Sequence, residues 1–278
     1  MTSTNNTIND TECSAKPVKP KSSTQLLAER MKQYETDSYH YIPKNATFVI
    51  RLDGHRFSTL LRKLGITGMF DIKIAEAMRE TARDLMNYVG ADCMYTCSDE
   101  ISLGFISRYS SNTYNIPLPW NGRVDKLISL SAAYCSVRFY HYITEYILYD
   151  LDSFDSDKYE LIFDSRILIV PSIKELVNCL IWRQRDCNRN VVHKIAKSLD
   201  IDCLYKNTLT LLKEIQDIDS TAYTQYPPLI THGILQTRYK EKQRNNTDYQ
   251  NNSDDYRYLL IECSSPYIED VFGIQISR

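Results

Sequence analysis

The chain has 278 residues, 43% hydrophobic and 24% charged, which is ordinary globular material with enough apolar content for one large core or two modest ones. No apolar run approaches the roughly 18 residues that a membrane span needs, and the N-terminus lacks the apolar stretch of a signal peptide, so a soluble intracellular protein is expected. The net charge of −2 does not announce nucleic-acid binding, which shifts attention from the sum of the charges to their placement.

Residues 1–24 carry Ser, Thr, Asn, Lys and Pro with few large apolar residues and read as a disordered tail ahead of a domain over residues 25–278. The first strand signal is Thr47-Phe48-Val49-Ile50-Arg51-Leu52-Asp53, β-branched and aromatic, with Phe48, Ile50 and Leu52 alternating and Gly54 stopping it. That run delivers Asp53 to a strand end. Residues 71–90 have helical spacing, with Ile74, Met78, Ala82, Leu85 and Val89 on one stripe, Asp71 as N-cap and Gly90 as the stop. Two short strand-like runs, residues 92–97 and 101–105, flank Ser98-Asp99-Glu100 and predict a hairpin with acids at its tip.

The order strand, helix, strand, strand matters for chemistry. A right-handed crossover brings the hairpin beside the first strand, with Asp53 and the Asp99-Glu100 tip near one edge of a sheet. Magnesium takes only one or two carboxylates plus substrate phosphates, so these acids suffice for a metal site. Each cluster taken alone reads equally well as a solvated turn.

Beyond the hairpin, breakers at residues 117–122 precede a helix over residues 123–146 whose first turn holds Arg123 and Lys126. Cations oppose the helix dipole at that end, and a bound phosphate would resolve the conflict. Pro171-Ser172-Ile173-Lys174-Glu175 has capping-box spacing and opens a further helix with Ile173, Val177, Leu180, Cys187, Val191 and Ile195 as its buried stripe. Between residues 182 and 197 it sets Arg183, Arg185, Arg189, Lys194 and Lys197 against the single acid Asp186. Arg185 and Arg189 stand at i,i+4, with His193 one turn on, and form either a phosphate-tracking surface or a solvated basic face. Residues 231–239 and 258–263 read as two more strands joined by a mobile loop over residues 241–256. The eight cysteines are scattered and read as reduced, mostly buried thiols, although Cys93 and Cys97 would share a strand face. The 21 tyrosines are too evenly spread to define a base-stacking platform, and neither a repeat nor a glycine-rich phosphate loop is present.

Five motifs, taken together and in order, resemble the tRNA(His) guanylyltransferase superfamily: Arg51-Leu52-Asp53-Gly54-His55-Arg56-Phe57, Ser98-Asp99-Glu100-Ile101-Ser102, Gly122-Arg123-Val124-Asp125-Lys126-Leu127, Phe163-Asp164-Ser165-Arg166 and Trp182-Arg183-Gln184-Arg185-Asp186. The likeness runs from about Leu27 to the C-terminus and is nearer the guanylyltransferase-like 3′-to-5′ polymerase branch than the enzymes dedicated to tRNA(His). It implies an α+β fold: a polymerase-palm-like, ferredoxin-like antiparallel sheet with helices packed on it and additional C-terminal strands. It also implies template-dependent addition of nucleotides to the 5′ end of truncated tRNA after ATP-dependent activation. The implied cofactors are two Mg2+ ions, with ATP, GTP and other nucleoside triphosphates as substrates, tRNA as partner and a homotetramer as assembly. By similarity Asp53, the Gly54 carbonyl and Asp99 would hold the metal ions, with Glu100 supporting the cluster. The backbone of Gly54, His55, Arg56 and Phe57, together with Ser98, Asp99, Arg123 and Lys126, would bind nucleotide. Arg183, Arg185, Asn188, Arg189 and Asn190 would meet RNA.

Two departures from the pattern bear on the reaction. Asn188-Arg189-Asn190-Val191 stands where dedicated tRNA(His) enzymes have His-Ile-Asn-Asn, which favours repair or editing over G−1 addition. Gly68-Met69-Phe70-Asp71 replaces a Lys-Pro segment, removing a cation expected near the 5′ phosphate, for which Lys63 is one substitute. A nucleotidyl cyclase-like enzyme and a non-catalytic tRNA-binding protein are the competing readings. The compartment expected is the cytoplasm, with the mitochondrion as the alternative, since the basic residues before Arg30 are lysines and Asp10 and Glu12 accompany them.

Overall fold

A computed structural model describes residues 21–66, 68–106, 118–147, 160–242 and 256–263. The tail up to residue 20 and the loop over residues 243–255 lie outside them. The chain divides into two units, residues 1–39 and 40–278. The first holds α1 (Ser23–Asp37), a helix not expected from the sequence. Its start is fixed by a capping box: the Ser22 hydroxyl accepts from the Gln25 amide at 3.3 Å, and the Gln25 side chain accepts from the Ser22 amide at 2.9 Å.

The second unit follows the order β1 (Thr47–Gly54), α2 (Phe57–Lys63), α3 (Ile72–Val89), β2 (Cys93–Cys97), β3 (Glu100–Phe105), α4 (Val124–Tyr146), β4 (Phe163–Val170), α5 (Ile173–Ser198), α6 (Thr208–Ile218), α7 (Pro228–Thr231), β5 (Ile234–Lys242) and β6 (Tyr256–Cys263). The strands form one antiparallel sheet in the order β4-β1-β3-β2-β5-β6. This is the expected α+β architecture. Asp71 caps α3, its carboxylate accepting from the amides of Lys73 at 2.8 Å and Ile74 at 3.2 Å, and Gly90 ends it at φ 65°. All five residues of the anticipated α3 stripe are buried. The β2–β3 hairpin closes through Ser98 and Asp99, with Ser98 left-handed at φ 55°.

Alternation along β1 sorts its side chains to two faces. Phe48, Ile50 and Leu52 enter a core built with Met78 and Leu85 of α3, Leu127, Phe139 and Ile143 of α4, and Ile101, Leu103 and Phe105 of β3. Each is fully buried, a contribution of roughly 2–3 kcal/mol per side chain from apolar area. Val49 faces the other way, into a smaller cluster with Leu176, Val177, Leu180 and Ile181 of α5. Beyond the sheet α5 builds a third cluster, with Val192, Ile195, Leu211 and Ile215 linking it to α6.

Three expectations shift. Ile173 is 40% exposed, so the buried stripe of α5 begins at Leu176. Pro228 starts the short α7 and moves the expected strand from residues 231–239 to Ile234–Lys242. Gly233 turns between them at φ 71°, where a Cβ would stand 2.5 Å from the Thr96 carbonyl oxygen. Cys97 and Cys187 are joined in a disulfide rather than reduced, because α5 lays Cys187 over the end of β2 across 90 residues of sequence. Cys93 and Cys135 remain buried thiols, and burial pushes Cys93 up to about 12.

Candidate active site

Register assembles the acids. Asp53 at the end of β1 stands opposite Glu100 on β3 and Asp164 on β4, which makes a row of three carboxylates across neighbouring strands. Asp99 joins them from the hairpin tip. The Gly54 amide donates to the Asp99 carbonyl at 3.0 Å, and the Ser98 hydroxyl donates to the Asp99 carboxylate at 2.9 Å. Gly54 is required for that approach, since a Cβ there would lie 2.7 Å from the Phe57 ring and 3.1 Å from Asp99 Cβ. Burial, followed by the charges of Asp53 and Glu100, holds the Asp99 carboxyl above the usual aspartate range.

The acids are not equivalent. Glu100 accepts from Arg183 Nε at 2.6 Å, both side chains are 15% exposed, and Arg183 also reaches Asp186 at 3.2 Å. Asp164 pairs with Arg166 at 2.7 Å on the surface. Among the described residues no basic side chain comes within ion-pair distance of Asp53 or Asp99. Two hard oxygen ligands without an ion-pair partner could hold a divalent cation whose shell substrate oxygens and water complete.

Asp53, Asp99 and Glu100 line a cavity of about 350 Å3. Leu61, Ile66, Met69, Phe70, Ile74, Leu229 and Ile230 give it apolar wall, with Asp71, Tyr95, Asn190 and Lys194 among its polar groups. The Asp71 carboxylate is engaged in capping α3. Tyr95 is fixed by donating to the His232 carbonyl at 2.8 Å, and burial pushes its hydroxyl well above the usual tyrosine range. The result is a pocket that combines several carboxylates with an apolar wall.

Of the residues singled out in the sequence, Asp53, Phe57, Ser98, Asp99, Glu100, Arg183 and Asn190 line this cavity, and Gly54 stands beside it. Others do not take the part expected. The His55 amide donates to the Ile162 carbonyl at 2.8 Å and is not available to a triphosphate, which leaves Arg56, left-handed at φ 50°, and Phe57 at the turn into α2. Arg123 and Lys126 lie at the far end of the sheet. Trp120, just before them, packs on Tyr88 at the C-terminal end of α3, whose 18 residues span about 27 Å from the cavity. Arg123 is clasped by Asp125 at 2.6 and 3.1 Å, so a neighbouring carboxylate, not a phosphate, offsets the charge at the first turn of α4. Asn188 is spent internally, donating to the Tyr223 hydroxyl at 2.6 Å and the Thr231 carbonyl at 3.1 Å. Arg189 pairs with Asp186, while Arg185 is exposed. Lys63 is exposed and does not line the cavity.

Sequence reasoning missed three features at this edge. Lys194, read as part of a basic face, reaches the loop at residues 68–71. The Cys97–Cys187 bond closes the wall next to Ser98. Trp182, 52% exposed, is flanked by Arg183 at 4.6 Å and Arg51 at 5.8 Å. Helical periodicity could have put Arg183, Cys187 and Lys194 near one another, but nothing local says which strand they meet.

An open antiparallel sheet carrying a paired carboxylate site where two strand ends meet is the palm arrangement of nucleotidyl-transfer enzymes. The family model described as Thg1, tRNAHis guanylyltransferase, matches residues 28–171, and the chain belongs to that family of nucleotidyltransferases. An uncharacterised protein of Acanthamoeba polyphaga mimivirus is 31% identical over 243 residues, covering 82% of this chain and 80% of its own. The tRNA(His) guanylyltransferase of Debaryomyces hansenii is 26% identical over 166 residues, covering 58% of this chain and 57% of its own. A bacterial tRNA(His) guanylyltransferase (Thg1)-like protein solved in complex with ATP shares the fold with a TM-score of 0.66 at 24% identity, over 88% of this chain and 94% of its own. No described helix is long and apolar enough to cross a membrane.

Proposed function

We propose that the protein adds nucleotides to the 5′ end of truncated tRNA in the 3′-to-5′ direction, directed by the opposite strand as template. One observation carries the reading: Asp53 and Asp99, uncompensated and on adjoining strand ends, face a cavity whose remaining wall is largely apolar. The apolar part of the wall, formed by Leu61, Ile66 and Ile74, suits a purine ring, with the phosphates on the polar lining. The bacterial relatives solved with ATP and with GTP support a nucleoside triphosphate as occupant.

In the first step an oxygen of the tRNA 5′-monophosphate attacks the α-phosphorus of ATP, and pyrophosphate leaves. In the second the 3′-hydroxyl of an incoming nucleotide attacks the 5′-phosphorus and displaces AMP. Asp53, Asp99 and the Gly54 carbonyl would hold the magnesium, which when bound stabilises charge on the attacking and leaving oxygens. Arg183 fixes Glu100 and thereby keeps β3 in place behind Asp99. Asn188, held by Tyr223 and Thr231, is not free to read a tRNA, which supports repair or editing over recognition of tRNA(His) through this segment. The tetramer implied by the family resemblance belongs to this reading and is checked by light scattering.

The test supplies 5′-truncated, 5′-monophosphorylated tRNAs with ATP, magnesium and labelled nucleotides. Templated extension of several tRNAs is expected, and Asp53→Ala and Asp99→Ala proteins should not extend. Addition of a single guanosine to tRNA(His) alone would replace repair with G−1 addition. Product from nucleotide without RNA would point to a cyclase, and RNA binding without turnover to a non-catalytic protein.

A further inference from the structure

α5 does not stop at the sheet. After Arg183 meets Glu100 and Cys187 meets Cys97, the helix runs on for three more turns, and Asn190, Val191 and Lys194 project into the wall of the same cavity. The Lys194 ammonium donates to the Met69 carbonyl and sits 4.7 Å from the centre of the Phe70 ring, which fixes it against the loop that runs into Asp71 and the start of α3. Phe70 in turn packs edge-on against Tyr226, with ring centres 4.8 Å apart, so the platform under the ammonium is braced from behind.

Charge accounting around the cavity singles this lysine out. Its other basic lining residue, Arg183, is committed to Glu100 and Asp186. Among the described residues Lys194 has no carboxylate within ion-pair distance. It holds three N–H donors, of which the Met69 carbonyl takes one. Lys194 is exposed as a residue, and desolvation of its ammonium against the loop lowers its pKa. The loop opposite has Gly68, Met69 and Phe70, and brings no cation of its own. A phosphate entering a cavity lined by Asp53, Asp71, Asp99 and Glu100 needs positive charge there, and Lys194 is the basic lining residue not committed to a carboxylate among the described residues.

We propose that Lys194 binds a phosphate group in this cavity, which Asp53 and Asp99 also line, and is the cation that receives either the phosphates of the nucleoside triphosphate or the 5′-phosphate of the RNA. This rests on the nucleotidyl-transfer reading and adds to it a residue beyond the segment matched by the family model. The two phosphate sources share one chemistry and separate by experiment.

Full-length protein carrying Lys194→Met or Lys194→Arg would be titrated with ATP alone, and with one RNA prepared in 5′-monophosphate and 5′-hydroxyl forms. Loss of a charge-assisted hydrogen bond predicts an affinity drop of about 10- to 100-fold for the methionine variant. The arginine variant should stay within about threefold of wild type, because it restores the charge. A drop confined to ATP assigns the nucleotide's phosphates, whereas lost discrimination between the two RNA ends assigns the 5′-phosphate. If Lys194→Met binds ATP and prefers the 5′-phosphorylated end as wild type does, the proposal is overturned. An arginine variant as weak as the methionine one overturns it too, by showing that shape and not charge matters. Because these are binding measurements, a protein that fails every extension assay yet shows Lys194-dependent phosphate binding would sink the polymerase reading and leave this one standing.

Discussion

The two faces of β1 obey different rules. On one, Phe48, Ile50 and Leu52 are fully buried in a largely apolar core with α3 and α4. On the other, Val49, Arg51 and Asp53 run from a small apolar cluster to a charged edge within five residues. The same strand therefore supplies stability from one side and, in the proposed reaction, chemistry from the other. Residues on the first face are replaceable by shape, while Asp53 on the second adds its charge to the burial that holds the Asp99 carboxyl above its usual range.

Substitutions should expose that division. The largest effect on turnover belongs to Asp53→Ala and Asp99→Asn, each expected to lower templated extension by at least about 1,000-fold, read by single-turnover labelling. Stability should respond in the opposite sense at Asp99. Its folded pKa lies above the unfolded value, so the folded state binds its proton more tightly and loses stability as pH rises through the raised pKa. Asp99→Asn should accordingly be more stable than wild type at neutral pH, with the advantage shrinking in acid, as denaturant titrations at several pH values would reveal. An unchanged or lower midpoint at neutral pH would show that the carboxylate is not strained.

Leu52→Ala, one residue away on the other face, should cost about 3–4 kcal/mol in denaturant unfolding, because a fully buried side chain leaves a cavity under α3 and α4. Its turnover per folded molecule should remain near wild type. Arg183→Met should cost about 2–3 kcal/mol by stranding Glu100, and Arg183→Met with Glu100→Gln should recover part of that. The smallest effect is expected at Asp164→Asn, whose partner Arg166 is about half exposed, and a stability change beyond about 0.5 kcal/mol would mean that the carboxylate row is coupled more tightly than its exposure suggests.

Much of this was legible in the residues. Alternation and turn formers located β1 and the β2–β3 hairpin, and helical spacing with Asp71 and Gly90 located α3. The same signals could not see β4 or α6 as elements, and they misread the start of β5, because Pro228 begins a turn of helix just where the apolar pattern resumes. The family resemblance, by contrast, implied that Arg123 and Lys126 contact the nucleotide. In-order motifs carry no distance, and α3 and α4 place those cations at the other end of the sheet.

Local periodicity and capping therefore settled β1, α3 and the β2–β3 hairpin, and with them that Asp53 and Asp99 stand at or beside strand ends, since those properties depend on neighbours a few residues apart. Only tertiary packing decided how α5 crosses the open face. That crossing gives Arg183 to Glu100, bonds Cys187 to Cys97, withdraws Asn188 into the interior and brings Lys194 to Met69. Each contact joins residues 35 to 125 apart in the chain, and a side chain's partner at that range is set by which surfaces pack together, which no local pattern encodes.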